Sequence, residues 1–251
     1  MLASELIQVI REDYLDDVTA PCAGDDEDAP YAFSDATLLR YLTEAQRQAC
    51  RRRDCRHIFD ATDPDICVIE LTEDQRSYAL DSRILRIERA VIATDTASTE
   101  LLHSTVTALN SWCRTWRRTA AGTPVAFIIE GRNLILDRPP NEALDGETLH
   151  LEVWREPLED LAADAEPEYP GEHRALVHWA CHMAYSRRDE EIYNPTAAAE
   201  HLALFERAYG PAVEARVIAE LLRVPDALSL TPGAIYNIPR SSRAAIRVEG
   251  W

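Results

Sequence analysis

Lysine is absent from all 251 residues, so each of the 26 basic residues is an arginine. That excludes Schiff-base chemistry at a lysine and any phosphate loop centred on one. Glycine is scarce too, at eight residues, and no GxGxxG, P-loop or GxSxG pattern occurs, so neither a phosphate-cradling loop nor a nucleophile elbow is expected. No stretch approaches the about 18 to 20 uninterrupted apolar residues that span a bilayer. The segment MLASELIQVIREDYLDD is acidic where a signal peptide would be basic, so a soluble cytoplasmic product is expected. The six cysteines (Cys22, Cys50, Cys55, Cys67, Cys113 and Cys181) form no CxxC pair and no dense regular spacing, which leaves free thiols as the default.

What remains is ordinary globular composition, 46% hydrophobic and 28% charged, with a formal net charge of −18. Affinity for polyphosphate comes from counterions displaced around a basic surface. A chain this acidic is not expected to grip nucleic acid, although acidity also serves solubility.

Helical periodicity frames the chain. Residues 4–15 read as a helix with Ser4 as cap and Leu6, Ile7, Ile10 and Tyr14 on one side, followed by an acidic loop, 16–31, that contains Asp25, Asp26, Glu27 and Asp28. Ser34 caps a longer helix to about Cys55 with the stripe Leu38, Leu42, Ala45 and Ala49. Arg51, Arg52, Arg53 and Arg56 fall near its C-terminal end, where cations complement the helix dipole. From Ile66 the period drops to two, and 66–92 reads as a β-meander turning at TEDQ. A short helix is expected near 109–116, then strands at 125–129, 134–136 across the turn 130–133, and 147–155, where Leu149, Leu151 and Val153 alternate with polar neighbours.

After an acidic linker, 158–172, a helix–corner–helix unit carries its own punctuation. Leu176, Trp179, Ala180, Met183 and Ala184 form one stripe; Asn194 caps the second helix, Pro195 starts it and Gly210 closes it, with Ala198, Leu202, Phe205 and Tyr209 inward. A third helix is expected from Pro211 to about Leu222. The pattern predicts an α+β fold: a helical bundle of N- and C-terminal helices (1–60 and 158–223), an inserted antiparallel sheet or small sandwich (61–157), and an extended arm (224–251). The arm is punctuated by Pro225, Pro232 and Pro239, yet Leu228, Leu230, Ile235, Tyr236, Ile238, Ile246 and Trp251 make it too apolar to remain in water. It either orders on a neighbouring protein, in part by strand addition, or folds back as a final strand.

Candidate chemistry is thin. His178 and His182 stand four apart beside Cys181, as in a metal-binding helix, but the glutamate of HExxH is missing and ordinary packing histidines are the competing reading. Acid pairs such as Asp189 with Glu190, or Asp25 with Asp26, are weak signals among 44 acids. Trp112 and Trp116 beside Arg114, Arg117 and Arg118 could stack single strands or lie in the core with the arginines reaching outward. No cofactor is implied.

The segment EHRALVHWACHMAYSRRDEEIYNPTAAAEHLALFERAYG (172–210) resembles a family of tailed-bacteriophage head-to-tail adaptors, whose C-terminal half carries similar ALV-W-A, Y-R-D-E and NP-AA-HL-LFE patterns. The likeness extends more loosely to 35–56, 66–92, the GTP at 122–124 and HLEVWREPLEDL at 150–161. It implies a structural, non-enzymatic virion protein of the neck, made in the host cytoplasm and assembled as a dodecameric ring beneath the portal. Its partners would be the portal, a tail or nozzle protein and its own copies, with genomic DNA passing through unbound and no membrane involved. The arm residues Leu228, Leu230, Ile235, Tyr236, Ile238, Arg240, Arg243, Arg247 and Trp251 are candidates for touching the portal or a neighbouring subunit, and Arg51, Arg52, Arg53 and Arg56 for inter-subunit charge. The alternatives are another neck or tail-completion protein, or a small metal-dependent hydrolase built on His178 and His182.

Overall fold

The computed structural model describes residues 1–17, 32–52, 55–94, 97–188 and 193–223. The chain is α+β and divides into two compact units: Met1–Ile58 with Glu156–Val213, and Phe59–Arg155 with the segment from Glu214.

The first unit is helical. Helix α1 (Ala3–Val9) runs on as a π-helical turn (Ile10–Leu15) and is closed by Asp16 in the left-handed region at φ 49. The structure moves its start from the expected Ser4 cap to Leu2, whose N–H donates to Glu5 Oε2 at 2.9 Å. The orphan N–H groups of Ala3 and Ser4 donate instead to Ala165 and Ala163 carbonyls at 2.9 and 3.0 Å, so the acidic linker does the capping. Helix α2 (Asp35–Cys50) begins as expected, with Ser34 Oγ accepting from the Thr37 N–H at 3.3 Å, and all four residues of its stripe are fully buried.

Helix α5 (Val177–Tyr185) packs on α2 and on α6 (Pro195–Tyr209). Asn194 caps α6 by accepting from the Ala197 N–H at 3.1 Å, Pro195 occupies its first turn, and Gly210 ends it at φ +96. The seam is made of Leu176, Val177, Ala180, Cys181 and Ala184 from one side and Ala198, Phe205 and Tyr209 from the other, all buried.

The second unit holds two sheets. One has the order β1 (Ile58–Asp60), β9 (Thr148–Arg155), β4 (Ile84–Ala93), β5 (Ser98–Glu100), with β2 (Val68–Glu70) also pairing β9. The other runs β3 (Ser77–Ala79), β8 (Asn133–Leu136), β7 (Ala126–Glu130), β6 (Leu102–His103), and its β6–β7 pair is parallel. The same region carries the short helices α3 (Pro64–Cys67) and α4 (Val106–Trp112) and the 3-10 turns Trp116–Arg118 and Glu142–Leu144. The alternation in β9 is as expected, with Leu149, Leu151 and Val153 fully buried, and Gly131 at φ +63 turns the β7–β8 hairpin.

The expected meander over 66–92 does not form. Its strands pair with partners far along the chain: β2 and β4 with β9, β3 with β8. The TEDQ turn is tied elsewhere, because Leu71 and Asp74 N–H donate to Glu147 and Pro140 carbonyls at 2.8 and 3.0 Å. Helix α7 (Ala215–Arg223) also departs from expectation. It packs on β4 and β7 in this unit rather than with the other C-terminal helices. No helix among the described residues is long and apolar enough to cross a membrane.

Candidate interaction surfaces

The described arginines after α2 divide between the interior and the surface. Arg51 grips Glu156 through Nε at 2.6 Å and a second nitrogen at 3.2 Å, and that bond raises its pKa. Arg52 is only 2% exposed, lying 5.5 Å over the Phe205 ring, 3.4 Å from the Gly210 carbonyl and 3.9 Å from Glu206. Burial lowers its pKa, and its Nε has no hydrogen-bond partner. Arg56 is exposed and engaged, and Arg53 lies outside the described residues. The same is true of every candidate arm residue from Leu228 to Trp251 and of both acid pairs, Asp25 with Asp26 and Asp189 with Glu190.

The histidines of α5 face α6. His178 Nδ1 meets His201 Nδ1 at 3.1 Å, while His182 Nδ1 turns to the Ala198 carbonyl at 2.8 Å. Tyr14 sits edge-on to both His178 and His201, at 5.5 and 5.2 Å, and Tyr185 stacks on His201 at 5.7 Å. Two imidazoles sharing one hydrogen bond require one donor and one acceptor, so the pair excludes a doubly charged state. Burial first, then the charges of His178 and His182, depress His201 to about 4; burial and Arg174 depress His178. Cys181 between them is fully buried, its thiol pushed up to about 12 by burial.

His178 and His182 therefore point to different partners. Among the described residues no group of three or more His, Cys, Asp or Glu is placed to hold a metal ion. The sequence does not single out His201, because it sits on a different helix from His178 and His182; the one available signal is its position three residues after Ala198, beside the buried stripe of α6.

Trp116 resolves to the core. It is 3% exposed, packs with Leu109, Ala126 and Ile128, and donates from Nε1 to Asn110 at 3.0 Å. Arg117 lies 4.4 Å above its ring and Arg76 at 5.7 Å, so neither face is open for a base to stack. Trp112 is half-buried against the same cluster.

The acidic linker is firmly seated. Leu161 N–H donates to Thr43 Oγ1 at 3.1 Å, Glu168 N–H to Gln46 at 3.2 Å, and Asp160 accepts from Arg47 at 2.6 Å. Among the described residues the arrangement offers docked backbone, buried seams and exposed charge. No curated protein matches the chain. The model of one family, described as SU10 adaptor protein, matches residues 1–225. The chain belongs to the SU10 adaptor protein family, structural proteins of bacteriophage particles.

Proposed function

We propose that this protein is a head-to-tail adaptor, assembled as a dodecameric ring beneath the portal and joining it to the tail. The family match over residues 1–225 carries the reading. The net charge of −18 suits it, because a conduit through which a genome slides must not hold phosphates, and an acidic wall repels them weakly and without sequence preference.

Residues 224–251 serve as the arm that reaches the portal, through the apolar residues Leu228, Leu230, Ile235, Tyr236, Ile238 and Trp251 and the cations Arg240, Arg243 and Arg247. An extended peptide of this kind gains affinity from main-chain pairing and specificity from alternate side chains. The test is deletion of 224–251 followed by mixing with the portal of the same virion. Loss of binding is expected; undiminished binding contradicts the arm.

A further inference from the structure

In a chain with 44 acids, residues 101–129 contain none. The same stretch carries Arg114, Arg117 and Arg118, all exposed, and Trp116 between them is the buried anchor that fixes their backbone. Arg76 locks this backbone from below, donating to the Trp116 and Thr119 carbonyls at 2.7 and 3.1 Å. Arg138 stands alongside, its Cδ 3.2 Å from where a Cβ on Gly122 would sit. Five guanidinium groups thus gather around two carboxylates, Glu130 on Arg117 and Asp137 on Arg138 at 3.3 Å. The crowding registers at Arg76, whose pKa falls through burial and through the charges of Arg117 and Arg138 in spite of Asp137. Arg114 and Arg118 make no ion pair among the described residues.

We infer that this basic corner docks onto the acidic segment 156–172 of a second copy of the chain. That segment is its electrostatic complement: besides Glu156, which pairs with Arg51, it carries six acids and no basic residue. Glu159, Asp160, Asp164, Glu166 and Glu168 are exposed, on backbone already pinned to α1 and α2. Both patches are therefore held in place before they meet, which lowers the entropy lost on contact. They are different surfaces of one molecule, so the contact is heterologous and closes into a ring or continues as a filament. Arg51 and Arg52 are poor candidates for the same task, the one spent on Glu156 and the other buried. A polynucleotide fits the corner less well, because Trp116 offers no open face and the remainder of the chain is strongly acidic.

This inference rests on the ring reading and is tested beside it by sedimentation velocity of the full chain over a concentration series at low and physiological salt. Wild type should self-associate, the Arg114→Glu/Arg118→Glu variant and the Glu159→Arg/Asp164→Arg variant should each associate at least tenfold more weakly, and their equimolar mixture should recover. A monomeric wild type at every concentration overturns the ring reading itself. Association undiminished in both variants leaves the ring and overturns the corner. So does weakened association in the variants without recovery in the mixture, or a loss of duplex-DNA retention by the Arg114→Glu/Arg118→Glu variant with association unchanged. A drop in the melting temperature of the dilute variants with association unchanged instead shows pairing within one chain, and likewise overturns the contact.

Discussion

Arg11 is a heavily committed side chain of the helical unit. Only 7% of its side chain is exposed, and it binds Asp17 at 2.5 Å, Asp35 at 2.7 Å and the Phe33 carbonyl at 2.6 Å, while Asp17 also accepts from the N–H groups of Ala32 and Phe33. Asp17 is thereby tied to the backbone at Ala32 and Phe33. Arg11→Ala strands Asp17 without its cation in a buried site, and the expected loss is about 3 to 5 kcal/mol, measured by urea unfolding. Asp60 plays a similar part in the β unit, bound to Arg155 at 2.7 Å. Burial opposes its ionisation, but the N–H groups of Thr62 and Asp63 and the Arg155 guanidinium overcome it and hold the carboxyl at about 2. A depressed carboxylate contributes stability above its ordinary value near 3.8, lost as pH falls toward 2. Asp60→Asn should therefore cost about 3 kcal/mol at neutral pH and progressively less in acid.

The His178–His201 pair has the same pH sign in a higher window: here burial of the neutral rings, not pairing of a charge, depresses the groups. Both groups are depressed below the ordinary 6.5, so as pH falls below that value the unfolded chain takes up protons that the folded pair refuses. Stability attributable to the pair is intact above about 6.5 and declines toward 4, where His201 titrates. Urea midpoints of wild type and His201→Gln compared from pH 7.5 to 4.5 should converge or cross toward acid, since Gln keeps a hydrogen-bonding group without a titration. A gap of constant size across that range would remove the pair from the acid response.

Among the elements, α6 should respond to its punctuation. Asn194→Ala removes the acceptor for the Ala197 N–H and is expected to cost about 1 kcal/mol, read as a fall in melting temperature. This cap, the α2 stripe and the β9 alternation were legible in the sequence because each depends on neighbours within a few residues. The pairing of β2, β3 and β4 was not, since strand partners are chosen by long-range burial and by turns tied to distant backbone, as TEDQ is tied to 140–147. Helix α7 has helical periodicity without any mark of its destination; only the partner surface on β4 and β7 supplies that. At the candidate surfaces, Arg52 reads as one of four cations at a helix end because composition does not reveal burial, and His201 is invisible until α5 and α6 meet.

For the whole molecule the argument is one of charge and assembly. An acidic chain without lysine, built from a helical unit and a β unit, suits the ring proposed above, in which each copy is held in place by its neighbours. Exposed ionic contacts between copies are screened beyond about 8 Å at physiological salt, so they fix register more than strength, and buried apolar surface must supply the rest. The most direct measurement is native mass spectrometry of the chain mixed with its portal. The account predicts one ring of adaptor copies bound per portal, lost when 224–251 is removed; a portal that binds no adaptor, or only single copies independent of that segment, would contradict it.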